Sequence, residues 1–328
     1  LIPFILVFVP LSLALGYDRI VGVAVPFVAT QTGFAGAFLN PFTIGIAQGI
    51  AGLTPFSGLG YRLVAWVLTT GLAIVFISSY ARRVRLRPEL SPTFGQDEEE
   101  RHQLHLENNA EPVEFTRRHL AVLGVFGAGM VVLCIGVMAW GWYIEELAGV
   151  FLAVALLAGL VARMKAAQIA DSFVDGAKSL IATAFVIALA RGVLTIAEDG
   201  RIIDTILHGL SGVIGQFHPV VSAQLMFLVQ TAINLFVPSG SGQAALTMPI
   251  MAPLADLVGV TRQTAVLAFQ LGDGFTNMIV PTSGVTMGIL TLAKIDWLRW
   301  ARWMLPLQIL FTLLGLLLLI PPVLTGWN

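Results

Sequence analysis

Charged side chains are scarce in this 328-residue chain, at 11%, where a soluble domain carries about a quarter. Hydrophobic residues reach 57% and the mean hydropathy is +0.86, which excludes an ordinary soluble globule and predicts an all-α polytopic membrane protein. Cysteine is nearly missing. Cys134 stands alone in the apolar run VVLCIGVMAW, so an intramolecular disulfide and a thiolate metal cluster are both excluded. The five histidines fall in polar or interfacial stretches, and His102 and His105 belong to a loop read as solvated. Catalytic signatures are lacking as well: there is no His-Glu-x-x-His, Gly-x-Ser-x-Gly or paired-aspartate motif, and the serines of SGSG have no basic partner nearby. No enzyme, no metal centre and no nucleic-acid partner are expected. The opening run LIPFILVFVPLSLAL has no basic flank or cleavage site, so it reads as a hydrophobic element entered part-way along and not as a signal peptide.

What is present is organised by hydropathy. Spans of about 20 apolar residues are expected near 60–80, 119–140, 145–163, 179–197 and 303–321. Two longer segments are interrupted: 19–52 at FLNPFTIG, and 262–293 at IVPTSGVT. A third, 220–258, is too long for one span yet has no charge at its centre VPSGSGQ, and it reads as a re-entrant hairpin. Residues 81–118 form the one strongly polar stretch, read as a flexible cytoplasmic linker whose acidic run Asp97 to Glu100 is solvated. Arginines at both ends of that linker put it inside. Traced outward from there, 14 of the 18 Lys and Arg land inside; Arg62, Arg201 and Arg262 face out, Arg191 lies within a span, and the C-terminus is outside.

The two ends of the chain also match each other. An offset of 243 pairs Pro10 with Pro253, Leu11 with Leu254, Gly16 with Gly259 and Arg19 with Arg262, and an offset of 240 pairs Pro41 with Pro281. The charge-based orientation puts Arg19 inside and Arg262 outside, so the repeats are inverted, as in secondary transporters. The organisation expected is 1–80 as the C-terminal part of a first repeat, 81–118 as linker and 119–328 as the second. Leu1 then corresponds to Ala244, and a full first repeat would begin about 125 residues upstream.

Unpaired peptide groups cannot persist in hydrocarbon, so broken helices survive there only when buried in protein or lining a polar cavity. At the hairpin tip Pro238 removes a donor, Gly240 and Gly242 permit backbone geometry closed to other residues, and Ser239, Ser241 and Gln243 offer neutral hydrogen-bonding groups. Asn40 and Thr43 flank the first break; Asn277, Thr282, Ser283 and Thr286 flank the second. Helix N-termini suit a carboxylate, while unwound carbonyls and hydroxyls suit Na⁺, with Ser239, Ser241 and Thr282 as its ligands. Asp273 is near mid-depth, where it could take a proton or Na⁺, meet a substrate amine, or pair with Arg191. Arg191 is a candidate for a substrate carboxylate or for that pair.

NPFTIGIAQGIAGL, NLFVPSGSGQAALTMPIMAPLADLVGV and FQLGDGFTNMIVPTSGVTMGIL resemble YfcC-like members of the C4-dicarboxylate anaerobic carrier (DcuC) family, in the ion transporter superfamily. The resemblance implies a bacterial inner-membrane carrier of two inverted repeats, each with a hairpin and a broken helix, working by an elevator-like motion against a scaffold that forms homodimers. By matching position it makes Ser239, Ser241 and Gln243 the second hairpin tip, Thr282 and Ser283 the second break, and Asn40 and Thr43 the first. The Gly- and Thr-rich first tip of that pattern is not in this chain. The expected function is secondary active transport of a small carboxylate-bearing solute, a C4-dicarboxylate or an amino acid, coupled to Na⁺ or H⁺ or working by exchange. A passive channel and a truncated, non-transporting membrane protein are the alternatives.

Overall fold

The computed structural model describes residues 2–107, 116–140, 142, 144–200, 205, 209, 212, 214 and 216–327. All regular structure among them is helical. The chain divides into two compact units, Leu1–Arg101 with Ala182–Asn328, and His102–Ile181.

The first unit holds the interrupted segments. Helix α1 (Ile2–Ala14) turns through Gly16, at φ +82°, into α2 (Arg19–Ala35), whose N-terminus is capped by Asp18 accepting from the Val21 amide at 2.8 Å. A residue without a Cβ suits that left-handed turn. After α2 the chain breaks over residues 36–40, makes one wide turn of π type (Pro41–Gly45) and continues as α3 (Ile46–Ile50). A long helix follows. α4 (Leu59–Leu86) has 28 residues, about 42 Å, enough to cross the roughly 30 Å hydrocarbon core. Its buried side chains Arg62, Ala65, Thr69, Ala73 and Ile77 recur every three or four residues, while Leu63, Val67, Leu68, Ile74 and Val75 are exposed, the pattern of a helix with one protein face and one lipid face.

Residues 88–107 depart from the expectation of a solvated, flexible linker. They form a short 3₁₀ turn (Pro88–Leu90) and helix α5 (Phe94–Glu107). Within the acidic run, Asp97 is 1% exposed and its carboxylate meets Arg19 Nε at 2.5 Å. Glu100 approaches the same guanidinium at 3.2 Å. The reason is helical spacing: one turn brings Asp97 and Glu100 to one side, facing a buried arginine, while the exposed Glu98 pairs with Arg101. His102 is exposed, as expected, and the side chain of His105 is outside the described residues.

The second unit contains α6 (Arg117–Trp140), α7 (Ile144–Val161) and the start of α8 (Ala166–Asp199). Helices α6 and α7 pack so closely at Gly129 that a Cβ there would sit 2.2 Å from Val154. The side chain of Cys134 is outside the described residues.

The rest of the first unit is the end of α8 together with α9 (Pro219–Ile233), α10 (Gly240–Leu257), α11 (Arg262–Thr276), α12 (Gly284–Leu292), α13 (Trp297–Leu318) and α14 (Ile320–Thr325). Every residue of α11 from Gln263 to Thr276 is buried, which makes it the central helix. Glycines set its neighbours at close range: a Cβ on Gly272 would lie 2.7 Å from Gln230 of α9, and one on Gly274 would lie 2.3 Å from Ala35 of α2. By contrast α13 buries Trp300, Met304, Leu307 and Phe311 and exposes Leu305, Ile309 and Leu313. It and α4 are the described helices long and apolar enough to span a bilayer.

Candidate functional site

The interruptions after α2 and α9 and the end of α11 meet at Gly240, the first residue of α10. A Cβ built there would lie 2.5 Å from Thr43 Cγ2, 2.9 Å from Asp273 Oδ2 and 2.9 Å from the Phe34 ring. The role expected of the tip glycines is therefore corrected. Neither Gly240 nor Gly242 has a positive φ; Gly240 is required because three elements leave no volume for a side chain.

Around this crossing the predicted residues divide by what they already hold. Asn40, Ser239 and Ser283 are helix caps, accepting from the amides of Phe42 at 2.9 Å, Gly242 at 3.4 Å and Thr286 at 3.3 Å. Thr282 Oγ1 donates to Leu235 O at 2.6 Å, which ties the second break to the tip of the hairpin. Ser241 is half-buried on the first turn of α10. Gln243 is fully buried and donates to Gln230 O at 2.9 Å and to Gln230 Oε1 at 2.7 Å, leaving its own Oε1 without a partner. Asn277 donates to Asp273 Oδ1 at 3.3 Å and is itself met by Asn234 at 3.1 Å. The other oxygen of Asp273, wholly buried, has no partner, and neither has the hydroxyl of Thr43. Arg191 is on α8 with its side chain outside the described residues, so its pairing with Asp273 falls outside them too.

The breaks are only partly sealed by protein. At the second, Thr286 Oγ1 donates to Asn277 O, Trp300 Nε1 to Met278 O and Trp297 Nε1 to Ile279 O, so three consecutive carbonyls are satisfied. At the first, Gln270 Nε2 takes Ala35 O and Ala37 O. What remains unpartnered near the crossing is a set of oxygens: Thr43 Oγ1, Asp273 Oδ2, Asn234 Oδ1 and Gln243 Oε1. A buried oxygen with no donor costs about 1–3 kcal/mol, more when charged, and such a set suits a cation or a ligand's N–H and O–H groups. Among the described residues no three of His, Cys, Asp and Glu come together. A cavity of about 340 Å³ lined by Phe4, Phe8, Pro26 and Thr30 belongs to α1 and α2 and shares none of these residues.

Sequence reasoning named Asp273 and Asn277 but missed Gln263 and Gln270, which share their side of α11. With the C-cap Asn277 the four fall within an arc of about 80° at 100° per residue, all of them buried. The seven-residue spacing of the two glutamines was the available signal. Arg62 was missed as well: assigned only to the outer side of the membrane and given no role, it is 1% exposed and donates to Gln263 and Gln270.

Comparison with known proteins agrees with the architecture. The model of the C4-dicarboxylate anaerobic carrier family, DcuC, matches residues 2–323. A protein of Escherichia coli (strain K12) named "Putative basic amino acid antiporter YfcC" is 40% identical over 98% of this chain and 64% of its own length. An uncharacterized Haemophilus influenzae protein is 34% identical over 98% of this chain and 63% of its own. The chain thus spans just under two thirds of the length of these relatives. The crystal structure of the Alcanivorax borkumensis YdaH transporter superposes with a TM-score of 0.52 at 17% identity, covering 98% of this chain and 73% of that one, a likeness of fold. With a family match over nearly all its length, this chain belongs to the C4-dicarboxylate anaerobic carrier (DcuC) family, a family of carriers and not of enzymes.

Proposed function

We propose that the chain carries the solute- and ion-binding region of a secondary active transporter for a small carboxylate-bearing solute, working between inverted repeats. The observation that carries this reading is the crossing at Gly240, where two interruptions and a buried carboxylate converge with oxygens left unpaired. In this reading Thr43 Oγ1 and Asp273 Oδ2 receive the coupling ion, Na⁺ or H⁺, and the buried stripe of α11 lines the path toward it. The hydroxyls of Ser239, Ser241 and Thr282 are further Na⁺ ligands on the tip and second break.

The inverted repeat is supported by bonds that recur at the sequence offset. Gly16 and Gly259 both have positive φ; Tyr17 N bonds to Ser12 O and Val260 N to Ala255 O, each at 2.9 Å. Arg19 donates to Ala293 O and Arg262 to Ala51 O, so the first arginine of each broken segment caps the last helix of the other. Helices α9 and α10 form the second hairpin, and α2 with α3 and α11 with α12 the two broken helices. We place 1–80 as the C-terminal part of the first repeat, 81–118 on the cytoplasmic side and the C-terminus outside, in a multi-pass bacterial inner-membrane protein that forms homodimers and moves elevator-fashion.

Uptake of radiolabelled succinate, arginine and ornithine into proteoliposomes under imposed Na⁺ or H⁺ gradients tests this. At least one solute is expected to accumulate with wild type and not with Asp273→Asn. No accumulation of any of them would remove the carrier reading, and equal accumulation by Asp273→Asn would remove the role given to that carboxylate.

A further inference from the structure

Arg62, in the first turn of α4, is buried without a counter-charge. Its Nη2 donates to Gln263 Oε1 at 2.8 Å and its Nη1 to Gln270 Oε1, while the guanidinium lies 5.4 Å over the ring of Trp327. No carboxylate pairs with it among the described residues, and its Nε is buried with no acceptor. Amides and an indole face satisfy hydrogens and soften the field, but they leave a full positive charge in a low-dielectric interior, where an unpaired ion is strongly destabilising. Arg19 makes the contrast plain, because equal burial there comes with Asp97 and Glu100.

The shell around Arg62 is adaptable and rich in donors. Gln48 Nε2 reaches Gln263 Oε1 at 2.9 Å and Ser57 O at 3.0 Å, and Gln263 Nε2 reaches Ser57 Oγ at 2.7 Å. Amides that now satisfy one another can each turn an N–H toward an anion. The position also communicates with the first break. Gln270, which accepts from Arg62, donates to the carbonyls of Ala35 and Ala37 where α2 ends. On the other side the ring of Trp327 covers the charge, held by Thr261 Oγ1 donating to its carbonyl at 2.7 Å and by the Tyr61 ring at 5.3 Å.

We infer that Arg62 is a carboxylate-binding residue at the margin of the break site, with Gln48 and Gln263 as its polar shell and Trp327 as its cover. The guanidinium edge that carries the free Nε takes one carboxylate of the solute in a forked pair, the geometry for which arginine is suited and lysine is not. Asp273 is one turn of α11 beyond Gln270, so the same solute, or its coupling ion, can meet a negative charge there. This inference rests on the breaks being a solute site and adds the group that reads the solute's carboxylate. Dicarboxylates and amino acids share that group.

The test is equilibrium binding by calorimetry on the purified chain in detergent, with thermal stability followed in parallel. Three probes are used: sodium succinate, L-arginine, and agmatine, which is arginine without its carboxylate. Wild type is expected to bind succinate or arginine, and agmatine at least tenfold more weakly than arginine. Binding of succinate alone points to a dicarboxylate solute and of arginine alone to an amino acid; both support the inference. Arg62→Gln is expected to weaken carboxylate binding by more than tenfold, and Arg62→Lys to recover only part of it. A folded Arg62→Gln chain with wild-type affinity would overturn the inference while leaving the carrier reading intact, and a fall in melting temperature alone would assign Arg62 a structural role. Should Arg62→Gln fail to fold, Arg62→Lys decides: a folded Arg62→Lys chain whose affinity for the carboxylate probes is lowered severalfold supports the site, and wild-type affinity refutes it. A wild-type chain that binds none of the three counts against both readings.

Discussion

Arg19 and Arg262 start matching helices, and each reaches across to the end of the other segment's last helix, Ala293 O at 3.2 Å and Ala51 O at 2.8 Å. Their surroundings could hardly differ more. Arg19 is 2% exposed and enclosed by α5, whereas Arg262 is only half-buried and forks onto the two oxygens of Asp256 from its own hairpin, with bonds of 3.2 and 2.6 Å. The acid on Arg262 comes from the preceding helix; the acids on Arg19 are imported from the segment after α4. One device thus serves both ends, and at one end an added element has buried it. Burial changes its energetic meaning, because an exposed pair contributes little while a buried pair cannot lose a partner cheaply.

The largest test of that difference is Asp97→Ala. It leaves Arg19 with only the more exposed Glu100, and a loss of about 3 kcal/mol is expected, at the low end for a broken buried pair because Glu100 remains. Asp256→Ala removes the equivalent acid from Arg262 and should shift the melting temperature far less. Thermal unfolding of both variants in detergent measures the gap. Equal shifts would mean that α5 does not enclose Arg19 in solution.

A second test asks whether the shared part of the device is as equal as the offset suggests. Gly16→Ala and Gly259→Ala each put a Cβ on a left-handed residue in open or ordinary contact, since nothing lies within 4 Å at the first and Pro219 Cγ is 3.6 Å away at the second. Strain is then the whole effect, about 1–2 kcal/mol at each. Matching shifts in unfolding midpoint sharpen the equivalence of the two turns; a large mismatch breaks it.

This comparison also separates what sequence could disclose from what it could not. The interruptions at 40–43, 238–243 and 281–286 were legible, because proline and small polar residues inside apolar segments have few other meanings. The equivalence of Gly16 and Gly259 was legible through the offset, but not that both are left-handed turns. Asp97 was not: in a run of four acids, which one a helix turns inward depends on where Arg19 is, a contact across 78 positions. Arg62 was counted by charge sign alone, and hydropathy does not say whether an arginine near a span's end faces water or two buried glutamines. Gly240 was read as a backbone requirement when its requirement is volume, which only the approach of Thr43 and Asp273 discloses.

The smallest effect concerns Asp18, which caps α2 where Thr261 caps α11. Burial pushes the Asp18 carboxyl above its ordinary value of 3.8, against the hydrogen bonds from Tyr80, the Val21 amide and Ser91, with Asp97 adding to the rise. A carboxyl whose folded pKa exceeds its unfolded one binds its proton more tightly in the native state. Between those two values the folded chain therefore holds more protons, and stability falls as pH rises through the window, levelling off above the folded value. Arg19, next in sequence, is held by Asp97 and Glu100 and so is not free to neutralise it. Asp18→Asn removes this titration while keeping a cap, and the expected outcome is a shallower decline of melting temperature as pH increases from 3.8. Thr261→Asn at the other end carries no titrating group to replace and should leave the slope as it is. If both variants keep the wild-type slope, the cap at Asp18 is no more buried than its counterpart, and the enclosure of the Arg19 end stops short of that residue.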